Sequence, residues 1–239
     1  MAYSHSMTYG ADQVLTGSGN SDYERYIRTN ELLSLQKGPD TWEHRDELLF
    51  TVVHQSSELW LKLAIAESHE IITRLQAGDI AGALRLVDRI PMCVIHATQN
   101  LDMLEKMSPW DYQQVRRALG HGSGFDSPGF NGIRAVIPQL GVEFHRLLKA
   151  ANISLLDLFV HHEKHDQLYR LAEALIEVDE RMINWRHRHF KVVERSIGLH
   201  VSGTQGTPVE VIGQLRDKCF FPELWDIRTE ITNHALKEE

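Results

Sequence analysis

Two histidines stand where the helical pattern predicts an apolar side chain, and an imidazole in such a place could do chemistry. His189 continues a series of apolar positions, spaced by three and four residues, that includes Met182, Trp185 and Val193. That spacing marks one face of an α-helix. A histidine on such a face is most often a hydrogen-bonded core residue. The alternative is an imidazole in a dry pocket, where a ring nitrogen binds iron.

His54 poses the same choice on a second long helix. Phe50, His54 and Glu58 are spaced by four residues, so their side chains lie close to one face of that helix. His54 is either a core histidine or part of a pocket. A phenylalanine beside an imidazole would suit a pocket for a flat aromatic ligand.

A candidate site for a carboxylate lies on a shorter helix. Ser108 and Pro109 predict its start, and it extends to Leu119. Tyr112 and Arg116 are four residues apart and share a face. Arg116 is either an ordinary surface arginine or, if it points inward, a planar fork for a substrate carboxylate.

The glycine-rich sequence GTQG, residues 203–206, precedes a predicted helix that starts at Pro208. Thr207 and Glu210 have the spacing of a capping box. A loop at a helix N-terminus can offer free N–H groups, and here the Thr204 hydroxyl, to an anion. A plain capped turn is the simpler interpretation.

The sequence HHEKH, residues 161–165, places two histidines four residues apart, as metal ligands can be. Its order matches neither HExxH nor HxxEH, and its surroundings are polar. We therefore interpret it as a solvated junction between helices.

The composition excludes two classes of partner. The 239 residues carry a formal net charge of −8 with no cluster of Lys and Arg, which argues against nucleic acid. No apolar run approaches the ~20 residues of a membrane span. The two cysteines, Cys93 and Cys219, are in no metal-binding spacing, so we expect reduced, buried thiols and a cytoplasmic location.

The periodicity predicts an all-α fold with one helical-bundle domain over residues 23–239, framed by long antiparallel helices. Residues 1–22 are polar and are expected to be flexible in an isolated subunit. The predicted helices cover residues 23–36, 41–77, 79–106 with an interruption at Pro91, and 166–198. The glycine-rich residues 120–132 form a loop, after which helical segments resume near Ile133 and from Gly141 to Ala151, and Ser154 caps a further helix that passes through residues 161–165.

Six stretches between Tyr23 and Thr229 resemble the tryptophan 2,3-dioxygenase family and occur in the family's order. They read YERYI, DELLFTVVHQSSELWLKL, DYQQVRRALGHGSGFDS, WRHRHFKVVERSIG, GTQG and FPELWDIRT. Each stretch is weak evidence by itself, whereas the series is specific. The family's GTGG loop reads GTQG here, and Pro208 follows it.

The resemblance implies a role for most of the candidate residues. His189 corresponds to the axial ligand of a b-type haem, which the helices would enclose, and His54 to the distal histidine that faces the indole N–H. Arg116 corresponds to the partner of the substrate carboxylate. The other substrate-binding positions that the resemblance implies are Phe50, Tyr112, Thr204, Tyr23, Tyr26 and Ile27.

The last three of these belong to an N-terminal helix that, by the resemblance, closes the pocket of a neighbouring subunit in a homotetramer. The implied reaction inserts both atoms of O2 across the indole C2–C3 bond of L-tryptophan, or of a close analogue, and gives N-formylkynurenine. Two alternatives stay open: a haem monooxygenase acting on a substituted tryptophan, and a non-catalytic haem-binding sensor.

Overall fold

A computed structural model describes residues 14–238, and this part of the chain is helical without a β-strand. Ser202 and Pro208 form an isolated bridge. The all-α prediction is therefore confirmed. In chain order the helices are α1 (Asp22–Ile27), α2 (Thr29–Leu33), α3 (Glu47–Gln76), α4 (Ile80–Val87), α5 (Arg89–Leu104), α6 (Pro109–Ala118), α7 (Pro128–Ala151), α8 (Leu155–Val160), α9 (Asp166–Ile197), α10 (Val209–Gln214) and α11 (Pro222–Glu238).

One hydrophobic core holds the long helices together, so the fold is a single domain. α3 packs against α5 and α7, and α9 packs against α5 and α4. The predicted apolar face of α9 is buried from Leu168 to Met182. Burial of each leucine, such as Leu171 or Leu175, stabilises the fold by about 1.5–3 kcal/mol.

Several predicted helix ends are confirmed. Ser108 caps α6 by accepting a hydrogen bond from the Asp111 backbone N–H. α9 ends at Gly198, whose φ of 89° suits a residue without a Cβ. Residues 161–165 form the expected solvated junction, with a short 3-10 helix over His162–His165. No cluster of potential metal ligands occurs within residues 14–238.

Four of the predicted boundaries are wrong. The helix expected over residues 23–36 divides at Arg28, whose φ of 60° is left-handed. α3 begins at Glu47 rather than at residue 41. The chain breaks at Asp88 instead of Pro91, because a proline in the first turn of a helix needs no N–H partner. The two helical segments expected near Ile133 and from Gly141 are one helix, which begins at Pro128, inside the predicted loop, and continues through Pro138.

The remaining global predictions have mixed outcomes. Cys93 is buried as expected, whereas Cys219 is only partly buried, and burial raises the pKa of both thiols. Among the described helices, none is long and apolar enough to cross a membrane. The cytoplasmic location stays a prediction. So does the flexibility of residues 1–22, of which 1–13 lie outside the described residues.

Candidate functional site

The hydrogen bond of His54 determines which of its ring nitrogens can accept a hydrogen bond from a ligand. His54 Nδ1 lies 2.7 Å from the Phe50 carbonyl oxygen one turn earlier on α3. A carbonyl can only accept, so Nδ1 carries the hydrogen and donates it. In the neutral ring, Nε2 is then a hydrogen-bond acceptor.

The His54 side chain is exposed in the single chain, yet neighbouring groups shift its pKa. Partial burial of the ring by surrounding protein atoms lowers its pKa. The nearby Glu58 carboxylate raises the pKa by a smaller amount. The burial effect is the larger one, so the neutral acceptor form prevails at neutral pH.

His189 lies on α9, close to His54. Burial, and to a smaller extent a positive charge on His54, lower the pKa of His189 to about 4. The His189 ring stacks on Trp185 with a centroid distance of 4.8 Å and an angle of 9°. The Trp185 ring in turn packs against the Phe130 ring of α7, with a centroid distance of 3.9 Å.

These properties fit a haem ligand. A metal requires the neutral imidazole, and the lowered pKa keeps His189 neutral at physiological pH. Within residues 14–238, neither ring nitrogen of His189 makes a hydrogen bond with another residue. The imidazole is thus desolvated, neutral and held by stacking, and it has a lone pair available for an iron.

Ion pairs near His189 join α9 to the end of α5. Arg188 pairs with Glu105 and, at 2.6 Å, with Asp102 of α5. Arg195 reaches the same Glu105 at 3.0 Å. These contacts connect α9 to the end of α5 on the helical turns that flank His189.

Aromatic side chains extend the site from His54 towards α6. The Phe50 ring stacks on His54 with a centroid distance of 4.0 Å and lies 6.4 Å from Tyr112. Burial raises the pKa of Tyr112, so its phenol is neutral at physiological pH. Together these rings give walls for a flat apolar group.

Of the two adjacent arginines on α6, Arg116 is the one that turns inward. It is half-buried, whereas its neighbour Arg117 is exposed. Arg116 Nη2 donates to the Ser202 carbonyl oxygen at 3.0 Å, across 86 residues of sequence. The guanidinium therefore lies beside the GTQG loop, one helical turn from Tyr112, and keeps further N–H donors for an anion.

The GTQG loop differs from the predicted capped turn. Pro208 is the residue before α10, and no side chain caps that helix, so the capping box of Thr207 and Glu210 is absent. Two loop N–H groups are also not free, because Gly203 donates to Thr207 and Gly206 to Gly203. The loop instead binds residues 120–126 through side chains, since the Thr204 hydroxyl donates to the Gly122 carbonyl at 2.5 Å.

Glu58 connects this site to α7. Its carboxylate accepts hydrogen bonds from the Ser127 hydroxyl and, at 2.9 Å, from the Gly129 N–H. A negative charge at the first turn of α7 also complements the helix dipole. The sequence showed that Glu58 shares a face with His54, but its partners 69 and 71 residues away could not be predicted.

Three predicted site residues do not reach this site in the single chain. Tyr23, Tyr26 and Ile27 of α1 are 69%, 77% and 44% exposed. The six other predicted site residues form a continuous series. Electrostatic interaction links His189 to His54 and Tyr112 to Arg116. Ring contacts link His54 to Phe50 and Phe50 to Tyr112, and a hydrogen bond links Arg116 to Ser202, beside the loop that holds Thr204.

Comparison with known proteins agrees with this arrangement. The model of the tryptophan 2,3-dioxygenase family matches residues 6–152 and 142–231, which together span most of the chain. The chain belongs to the tryptophan 2,3-dioxygenase family. Since members of that family are oxidoreductases, the protein is an enzyme of this class.

The relatives match over nearly their whole length. The chain is similar to the tryptophan 2,3-dioxygenase of Bacillus cereus, with 29% identity covering 89% of this chain and 93% of the relative. For the enzyme of Shewanella woodyi the identity is 30%, covering 92% and 94%. For that of Caulobacter vibrioides it is 31%, covering 87% and 98%.

Trp185 and Gln205 are residues near the site that the sequence motifs did not single out. The stacking of Trp185 on His189 could have been found from their spacing of four residues on one helical face. The contacts of Gln205 could not, because they depend on how two distant loops meet.

Proposed function

We propose that the protein is a haem-dependent dioxygenase that inserts both atoms of O2 across the indole C2–C3 bond of L-tryptophan, or of a close analogue. The product would be N-formylkynurenine. The observation that carries this proposal is the proximity of a neutral acceptor, His54 Nε2 of α3, to the desolvated His189 of α9. Family membership supports the same reaction.

His189 would hold the iron of a b-type haem. Its neutral imidazole needs no proton loss on binding. The stacked Trp185 keeps the ring in one orientation, and the Arg188 ion pairs keep α9 in place. The bound haem would supply O2 activation, which closed-shell indole cannot achieve by itself.

His54 and the aromatic walls would bind the indole ring. Phe50 and Tyr112 offer apolar faces, and His54 Nε2 accepts a hydrogen bond from the indole N–H. This bond orients the ring, since only one edge of indole carries a donor. The low pKa of His54 keeps the acceptor available at neutral pH.

Arg116 and Thr204 would bind the amino-acid end. The Arg116 guanidinium pairs with the carboxylate as a charge-assisted fork. The Thr204 hydroxyl already donates its hydrogen to Gly122. Its oxygen lone pairs therefore stay available to accept from the substrate ammonium. The substrate carboxylate thus faces the Arg116 cation, and the substrate ammonium faces the Thr204 hydroxyl oxygen.

A homotetramer would complete the pocket. The exposed face of α1 carries two tyrosines, Tyr23 and Tyr26, which water solvates poorly over so large an area. α3 likewise exposes apolar side chains at helical spacing, namely Leu48, Val52, Leu59 and Leu63. We infer that these surfaces meet between subunits and that α1 of one subunit covers the substrate pocket of another.

The test is the mass of the product formed from L-tryptophan under isotopically labelled O2 by the haem-loaded, reduced protein. Two labelled atoms in one product, without stoichiometric consumption of reductant, would support the proposal. One labelled atom would replace it with a monooxygenase. Binding of haem without any product from L-tryptophan or from methylated or halogenated tryptophans would refute enzymatic oxygenation. An anaerobic sample is the control.

A further inference from the structure

Gln205 connects two loops that are far apart in sequence. Its side-chain Nε2 donates to the His121 carbonyl oxygen at 3.1 Å and to the Asp126 carboxylate at 2.6 Å. Both amide hydrogens are therefore used. These bonds join the 203–206 loop to the 120–126 loop across 84 and 79 residues of sequence.

The acceptor side of this connection is itself anchored. The Asp126 carboxylate also accepts from the Ser123 N–H at 3.1 Å, and Ser123 caps the short helix Gly124–Asp126. Gln205 thus attaches its loop to a fixed group. A carboxylate acceptor gives a stronger hydrogen bond than a neutral one.

The joined loops carry the groups that face the substrate tail. Thr204 precedes Gln205 directly and reaches Gly122 of the same partner loop. Arg116 donates to Ser202, just before the 203–206 loop. Movement of that loop away from residues 120–126 would therefore displace the Thr204 hydroxyl and remove a partner of the Arg116 guanidinium.

The loop has few other means of staying closed. Gln205 and Gly206 are exposed, and the apolar core nearest to them begins only at Val209. A segment without buried apolar contacts opens locally at low cost. The side-chain hydrogen bonds consequently decide whether the loop is closed before substrate arrives.

We propose that Gln205 is a positioning residue that holds the 203–206 loop closed against residues 120–126 in the free enzyme and so prepares the binding site for the amino-acid end of the substrate. The ligand part of this inference rests on the proposed function. The closure itself does not, because it concerns contacts within the chain.

The first experiment measures hydrogen–deuterium exchange of the full-length protein without substrate, in peptides that cover residues 199–207 and 120–127. Gln205→Ala removes the amide and keeps the Cβ. Loss of two hydrogen bonds should raise exchange in both peptides roughly 5- to 30-fold. Gln205→Glu keeps the size but places a second carboxylate beside Asp126, so it should raise exchange at least as much.

Gln139→Ala is the matched control, because Gln139 is an exposed glutamine whose amide donates to Ala135 of its own helix, α7. It should leave exchange in both peptides at the wild-type rate. Wild-type exchange in Gln205→Ala would overturn the closure, whatever the protein does to indoles.

The second experiment compares dissociation constants of the haem-loaded protein for L-tryptophan and for 3-methylindole, which lacks the amino-acid end. Because apparent affinity falls with the fraction of competent conformers, Gln205→Ala should weaken L-tryptophan binding roughly fivefold or more and leave 3-methylindole unchanged. Equal weakening of both ligands, or of neither, would overturn the positioning role. Failure of the wild-type protein to bind either ligand would instead refute the proposed function, and exchange would still decide the closure.

Discussion

Asp179 offers the sharpest test of how the fold holds α9, the helix that carries His189. It is fully buried and accepts hydrogen bonds from the backbone N–H groups of Phe220 at 2.7 Å and Phe221 at 2.9 Å, and from the Trp225 indole at 3.2 Å. One carboxylate thus attaches the start of α11 to the middle of α9. The change to test is Asp179→Ala.

The expected loss follows from these contacts. A buried donor left without an acceptor costs about 1–3 kcal/mol. The Phe221 N–H is buried, whereas the Phe220 and Trp225 donors are partly buried and cost less, so the three together imply about 3 kcal/mol. Part of this is offset, because burial raises the pKa of Asp179 and its ionised form is therefore held at some cost. We expect a decrease of about 2–4 kcal/mol in the free energy of unfolding.

The assay is urea unfolding followed by far-ultraviolet circular dichroism. Protein concentration must be the same in all samples, since any oligomer makes stability depend on it. Asp166→Ala is the matched control, because Asp166 lies on the same helix but is exposed. We expect the control to change stability by less than about 0.5 kcal/mol. Asp179→Asn, which keeps one acceptor oxygen, should fall between the two.

A small effect would refute the reasoning. If Asp179→Ala unfolds within about 0.5 kcal/mol of the wild-type protein, the three hydrogen bonds do not connect α9 to α11 as described. A larger loss of unfolding free energy for Asp179→Asn than for Asp179→Ala would also contradict it, because the acceptor oxygen that asparagine keeps would then contribute no stability.

Three further predictions concern the site. His189→Ala should abolish haem binding, measured by Soret absorbance, and full haem content would disprove the ligand assignment. Arg116→Leu should weaken L-tryptophan binding roughly 30- to 150-fold, from about 2–3 kcal/mol for a charged pair; tryptamine, which has no carboxylate, should bind as before, as should L-tryptophan to the Arg117→Leu control. Because burial lowers the pKa of His54 below 6.5, L-tryptophan affinity should stay constant from about pH 7.5 to 6.5 and fall only as pH drops through the lowered pKa. A loss of affinity with a midpoint above 6.5, absent in His54→Ala, would contradict that assignment.

Much of the helical architecture was predictable because helices depend on neighbours in sequence. The apolar steps from Leu168 to Met182 predicted the buried face of α9, and Gly198 predicted its end. Ser108 predicted the start of α6 in the same way. The errors occurred where packing overrides the local signal. Pro138 is one example, because α7 stays helical around a residue that usually interrupts a helix.

The sequence by itself determined that the chain is helical, that His54 and His189 lie on long apolar faces, and that the motifs resemble the tryptophan 2,3-dioxygenase family. Only the tertiary structure decided that Arg116 turns inward, that Gln205 connects two loops and that α1 leaves its tyrosines exposed. The physical reason is the sequence separation over which each interaction acts. Capping and periodicity act within about four residues, whereas these contacts join parts of the chain that meet only when the core packs.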